Sequence, residues 1–198
     1  MSTEHKKPYK IGITGGIACG KSVVRKILDN LNIPTLDADE IVHDILKNDQ
    51  LIIQKLIDLF GKVVLDDEDN SIERKELARI VFADINKLKQ LEAIIHPYTY
   101  EKIKTFLNES NSDIVAVVIP LLFENNRQYM FDSVWLVDAA EEEQINRLKL
   151  RDNMHEDEAK QRIAAQMPQH LKRAMADVVI ENNLSIEDMQ NAVEGLIA

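Results

Sequence analysis

The stretch "GGIACGKS", Gly15 to Ser22, constrains this chain more than any other feature. Gly15, Gly20, Lys21 and Ser22 satisfy G-x-x-x-x-G-K-[ST], a loop whose backbone curls so that successive N–H groups converge on phosphate oxygens. Such a loop needs a strand before it and a helix after it. "YKIGI" (Tyr9 to Ile13) is a short apolar run ending at glycines and reads as a buried strand. "KSVVRKILDNL" puts Val23, Val24, Ile27, Leu28 and Leu31 on one helical stripe. A chance glycine-rich turn is the bland alternative, but the context is the one a phosphate loop requires. Gly15, Gly16, Ile17, Ala18, Cys19, Gly20, Lys21, Ser22 and Val23 are therefore the expected ATP-binding set. Lys21 reaches for the β- and γ-phosphates, the Ser22 hydroxyl is a ligand for Mg2+, and the helix adds its positive end.

Further strands are expected at "IPTLDAD" (Ile33 to Asp39), "DIVAVVIP" (Asp113 to Pro120), "SVWLVDA" (Ser133 to Ala139) and "ADVVIEN" (Ala176 to Asn182), with a closing helix from Ser185 to Ile197. The mostly helical segment between the second and third strands is too long for a simple crossover, so residues 60–112 read as an inserted helical lobe. A second helical insertion, residues 141–172, reads as a lid. Alternating strands and helices imply a mostly parallel sheet covered on both faces, hence a three-layer α/β fold with helical insertions. Sheets of this kind bind ligands outside the carboxyl ends of their strands.

Composition narrows the class. The 198 residues carry 24 basic and 34 acidic side chains, a net charge of -10, which argues against a nucleic-acid partner but not against a small anion in a locally positive pocket. A single cysteine suits a reducing compartment. "MSTEHKKPYK" lacks the apolar core of a signal peptide, and no run approaches the roughly 20 apolar residues of a membrane span. A cytoplasmic protein without a membrane partner, monomeric or weakly self-associating, is the expectation. There is no "NKxD" guanine motif, and "IVAVVIP" ends in proline and leucines where a motor ATPase carries an acidic metal ligand. A small-molecule kinase remains.

On the acceptor side, Asp37 and Asp39 of "DADEIVH" lie two apart, which in a strand projects both onto one face. One can orient an acceptor hydroxyl and take its proton while the other steers Mg2+ through water. Alternatively Asp39 simply N-caps a helix starting at Glu40. Pro120, Leu121 and Leu122 of "PLLFE" either line the same crevice or are ordinary core. Gln144, Arg147 and Arg151 share a helix face. They suit a clamp on the triphosphate, with Arg162 a weaker candidate, or else Arg147 pairs with Glu143 on the surface. His96-Pro97 marks a bend, since the residue before proline avoids helical geometry. Arg74 contacts an anionic substrate or merely starts a helix. Cys19 either fills serine's place, with only its backbone at work, or is a thiol whose pKa is lowered by the helix end and Lys21, making the site redox-sensitive.

Together "ITGGIACGKS", "LDADEIVH", "RKELARIVF", "LEAIIHP", "PLLFE", "QINRLKLRD", "RIAAQM" and "ADVVIENN" resemble the dephospho-CoA kinase family, in the family's order and from Lys10 to Leu196. The resemblance implies a P-loop nucleoside-kinase core with a helical CoA-binding lobe and a lid. It implies transfer of the ATP γ-phosphate, with Mg2+, to the ribose 3′-hydroxyl of dephospho-CoA, the last step of coenzyme A synthesis. It points to Asp39 as general base, to Arg147 as a lid residue near the phosphates, and to His96 as part of the substrate lobe. Cys19 and Val23 depart from the family's usual serine and threonine. Neither change removes a backbone donor, but Val23 loses a hydroxyl contact to the α-phosphate.

Overall fold

The computed structural model of the chain describes residues 7–66, 68–183 and 185–197; residues 1–6, read above for a signal peptide, lie outside the described residues. In chain order the elements are β1 (Tyr9–Gly15), α1 (Lys21–Asn30), β2 (Thr35–Asp37), α2 (Ala38–Asn48), α3 (Gln50–Phe60), α4 (Arg74–Phe82), α5 (Ile85–Glu109), β3 (Ile114–Val118), β4 (Ser133–Asp138), α6 (Glu141–Asp152), α7 (Glu156–Ala164), α8 (Gln169–Met175), β5 (Val178–Glu181) and α9 (Ile186–Ile197). They form two compact units, Met1–Leu36 with Leu107–Ala198, and Asp37–Phe106.

The first unit holds a sheet of strand order β2-β3-β1-β4-β5, in which β1–β3, β1–β4 and β4–β5 pair in parallel. β1 is central because it is apolar on both faces, with its last five residues all buried. β4 is buried throughout for the same reason. One sheet face is sealed by Val24, Ile27 and Leu28 of α1 and Met189 and Val193 of α9, packed with Ile11, Ile13, Ala116, Val118, Trp135 and Val137. Their burial, worth roughly 1.5–3 kcal/mol per large side chain, holds the ends of β1 and α1 where the loop between them needs them.

The second unit is helical. Asp49 ends α2 and caps α3, its Oδ1 accepting the Leu51 and Ile52 N–H groups at 3.1 and 3.2 Å. Gly61, at φ +86°, stops α3. Its boundaries, Asp37–Phe106, take in α2 and α3, ahead of the lobe expected from residue 60. His96-Pro97 does not end a helix. α5 runs 25 residues through Pro97, carried by buried Ile95, Ile103 and Leu107 on both sides of the proline. Packing of both halves outweighs the local preference before proline, and His96 sits edge-on to Tyr100 one turn along.

Candidate active site

The phosphate loop leaves β1 at Gly15 and enters α1 at Lys21. Gly20 has φ +98°, and a Cβ there would lie 2.0 Å from Asn182 Nδ2, so only glycine fits. At Gly15 a Cβ would stand 2.4 Å from the Val137 carbonyl oxygen. Ala18 occupies the left-handed region at φ 59°, a strain of about 1 kcal/mol for a residue with a side chain. Two features hold it there. The side chains of Ile17 and Ala18 pack on a small core of Ile145 and Leu148 of α6, Ala159 of α7 and Met154 between those helices. The Ala18 carbonyl also accepts from Arg147 at 3.2 Å.

Lys21 folds back over the loop, its Nζ 2.8 Å from the Gly15 carbonyl and 2.9 Å from that of Gly16. The first turn of α1 contains no acidic residue, unlike those of α2, α4, α6, α7 and α9. The positive end of α1 is thus left to act on an anion. Beside it opens a pocket of about 540 Å3. Its walls are Gly20, Ser22 and Val23 of the loop and helix start, Arg147, Leu150 and Arg151 of α6, and Asn182 and Ile186 after β5. Leu150 and Ile186 are 87% and 71% exposed, apolar flanks without a protein partner that would shield them from water.

Of the two readings of Arg147, the pairing with Glu143 is found, together with contacts to the loop. It pairs with Glu143 at 2.9 Å, and its guanidinium also donates to Ala18 O and, at 3.0 Å, to Asn182 O. Arg151 is forked onto Asp152 at 2.8 Å and Arg162 onto Glu158 at 3.0 Å, exposed pairs of little energetic weight. Gln144 is buried and donates to Ala139 O at 2.9 Å.

Several expectations are corrected. Asp37 ends β2 and is itself the N-cap of α2, its Oδ1 accepting the Asp39 N–H at 2.9 Å. Asp39 lies, exposed, in the first helical turn. The shared-face argument therefore fails, because a two-residue step aligns side chains in a strand and not in a helix. The capping role assigned to Asp39 belongs to Asp37. Leu122 is fully buried and packs over Gly12, so it is core; of the "PLLFE" leucines only Leu121, 40% exposed, offers surface. The Pro120 carbonyl accepts from Thr14 Oγ1 at 3.1 Å, tying that turn to β1. Arg74 opens α4, and its Nη1 lies 2.9 Å from His43 Nδ1; a guanidinium only donates, so His43 carries its proton on Nε2.

Of the two readings of Cys19, the reactive thiol is the one corrected. Its thiol is wholly buried in the core under α1, and burial pushes its pKa up more than the Lys21 charge draws it down. The side chain faces the core, so proximity to a helix end does not activate it. A thiol reagent is expected to label Cys19 at least about a hundredfold more slowly in the folded than in the unfolded chain, since it gains access only on opening. Equal rates would contradict the burial. The neutral thiol's contribution to stability is full below its ordinary pKa of 9.0 and is lost as pH rises through the raised value.

Other side chains reach the loop to which the sequence reading gave no individual role, although Gln166 and Asn182 lie within the quoted "RIAAQM" and "ADVVIENN". Asn182 Nδ2 donates to Cys19 O at 2.7 Å, and Gln166 Oε1 accepts from Ile17 N at 2.8 Å. Gln169 Nε2 donates to Asp138 Oδ1 at 2.6 Å and lies 3.6 Å from Cys19 Sγ. Asp138 also pairs with Arg173, which reaches Glu181 at 2.7 Å; the Glu181 and Asp138 carboxylates raise the guanidinium pKa. The available sequence signal was position: Asp138 and Asn182 stand at the carboxyl ends of β4 and β5, where such sheets bind ligands.

The chain is similar to known proteins over nearly its whole length. The family model for dephospho-CoA kinase matches residues 9–188. A dephospho-CoA kinase of Carboxydothermus hydrogenoformans is 44% identical over 186 residues, covering 92% of this chain and 90% of that protein. Among solved structures, a Thermus thermophilus protein superposes with a TM-score of 0.85 at 35% identity. A dephospho-CoA kinase from Campylobacter jejuni does so with 0.67 at 29%, and both matches cover 97% of each chain.

Proposed function

The chain belongs to the dephospho-CoA kinase family, and from that premise we propose how its own residues divide the reaction. It is an ATP-dependent kinase that transfers the γ-phosphoryl group of ATP to the ribose 3′-hydroxyl of dephospho-CoA, giving CoA and ADP. The observation that carries the nucleotide side is the loop itself: Lys21 over its first bend, an uncompensated helix end behind it, and a pocket with apolar flanks beside it.

The β- and γ-phosphates lie along the N–H groups of the loop and of the start of α1, with Lys21 leaving the Gly15 and Gly16 carbonyls to meet them. The adenine enters the pocket between Leu150 and Ile186, and Val23 supplies only backbone and apolar contact to the α-phosphate region. Arg147 braces the loop through Ala18 and lends charge where it develops during transfer. Ser22, an exposed hydroxyl at a helix start, suits a hard cation that arrives with the nucleotide. No cluster of three or more His, Cys, Asp or Glu suited to a metal occurs among the described residues. Mg2+ there neutralises phosphate charge. Asp39 takes the proton of the acceptor hydroxyl late in the step, as a loose transition state asks of its base. Asp37 keeps α2 starting where Asp39 needs it. Arg74, His96, Pro120 and Leu121 are the substrate-binding residues of this reading. The enzyme works in the cytoplasm as a monomer or weak homo-oligomer; no helix among the described residues is long and apolar enough to cross a membrane.

The test is ADP release by purified protein offered dephospho-CoA, shikimate, AMP or GMP. Release is expected with dephospho-CoA. Release with another of these acceptors and none with dephospho-CoA would remove the reading.

A further inference from the structure

Gln166, in the connection between α7 and α8, grips the phosphate loop from the side opposite Lys21. Its Oε1 accepts the Ile17 N–H at 2.8 Å, while Lys21 Nζ lies 2.9 Å from the Gly16 carbonyl. That carbonyl and that N–H are the two ends of one planar peptide group, so both side chains bear on the same bend. Gln166 is held in place from both directions. Its own N–H donates to Ile163 O at 3.1 Å, closing α7. The next N–H, of Met167, donates to Glu124 Oε1 at 3.2 Å, and Glu124 is itself held 2.8 Å from the wholly buried Lys172.

The choice of side chain is informative. For satisfying an N–H alone, a glutamate would be the stronger acceptor, being charged. This acidic chain nevertheless puts a neutral amide there, and the amide oxygens of Gln144 and Gln169 stand with Cys19 Sγ among the atoms a Cβ at Gly16 would meet, at 3.1 and 3.3 Å. Neutral amides are the better choice where a phosphate must share the space, because a carboxylate would repel it. With Oε1 committed to Ile17, the donors of Gln166 reside on Nε2. Among the described residues none accepts from that atom, and it is not sealed from water.

We propose that Gln166 is a nucleotide-binding residue whose Nε2 donates to the terminal phosphate of ATP, the group that distinguishes ATP from ADP. This rests on the loop being the ATP site, as read above. Lys21 is the side chain that meets the β- and γ-phosphates, and Gln166 shares its peptide group. Gln166 therefore senses the phosphate that is about to be transferred.

The experiment is calorimetric titration of the full chain with ATP and with ADP, without acceptor, in the parent, Gln166→Glu and Gln166→Met proteins. Gln166→Glu keeps the acceptor for Ile17 but replaces the donor with a negative oxygen. Its ATP affinity is expected to fall at least about tenfold, with ADP affinity within about twofold of the parent. Gln166→Met, which lacks both groups, should also lose more affinity for ATP than for ADP. A residue that only braces the loop would behave otherwise: the Glu variant would bind both nucleotides like the parent, or the Met variant would lose both equally. Either result overturns the inference. Failure of the parent to bind either nucleotide would instead overturn the ATP site itself, so the two failures are distinguishable.

Discussion

Asp39→Asn is expected to lower turnover by about 10²–10⁴-fold, the range a positioned general base supplies, while ATP affinity measured without acceptor stays within about twofold. The change is nearly isosteric and removes the negative charge together with the ability to take a proton. The structure separates this from a folding effect, because the cap of α2 is Asp37, whose Oδ1 accepts the Asp39 N–H. Asp37→Asn is the matching control. Asparagine caps a helix about as well as aspartate, so its melting temperature should hold. If Asp39→Asn retains turnover within about threefold of the parent, the base lies elsewhere.

The second large effect concerns a residue between two of the quoted motifs, paired with the last residue of "PLLFE". Lys172 is 0% exposed, and its Nζ lies 2.8 Å from Glu124 Oε1. The contact is one of charge rather than of aligned hydrogen bonds, since neither Lys172 Nζ nor Glu124 Oε2 has a hydrogen-bond partner in the surrounding protein. Removing one member of a buried pair leaves the other charge uncompensated, so Lys172→Met should cost about 3 kcal/mol, the lower end of the usual range because Glu124 retains 21% exposure. Urea unfolding reads this directly as a lower midpoint at unchanged slope. Adding Glu124→Gln should recover most of the loss, because no charge is then stranded. A cost below about 1 kcal/mol would show that Lys172 reaches water or another partner, and that the pair is no anchor. The anchor matters for function because Met167 N–H donates to the same carboxylate, next to the amide of Gln166.

These two residues mark how far the chain could be read without its fold. Local periodicity and turn chemistry made the strand–loop–helix legible from Tyr9 to Leu31, as well as the alternation that demands a parallel α/β sheet. They did not reveal that α5 continues past Pro97, or that α2 starts at Ala38 and so makes Asp37 the cap of the helix that carries Asp39. Both are cases in which packing or a side-chain hydrogen bond outweighs a preference spanning two or three residues.

Cys19 shows the same division within the phosphate loop. The motif by itself determined a backbone curl of the kind that suits an anion, with Lys21 and Ser22 at the required spacing, and, with the motifs downstream, which family of kinases the chain resembles. Only the tertiary structure decided what the intervening side chains do. Ile17 and Ala18 pack on α6 and α7, Cys19 turns into the core where burial keeps its thiol neutral, and Gln166, Asn182 and Arg147 close on the loop from sequence distances of more than a hundred residues. The physical reason is one of range. Backbone curvature is set by the glycines within the motif, whereas the direction and burial of a side chain depend on elements that meet only after the sheet has formed.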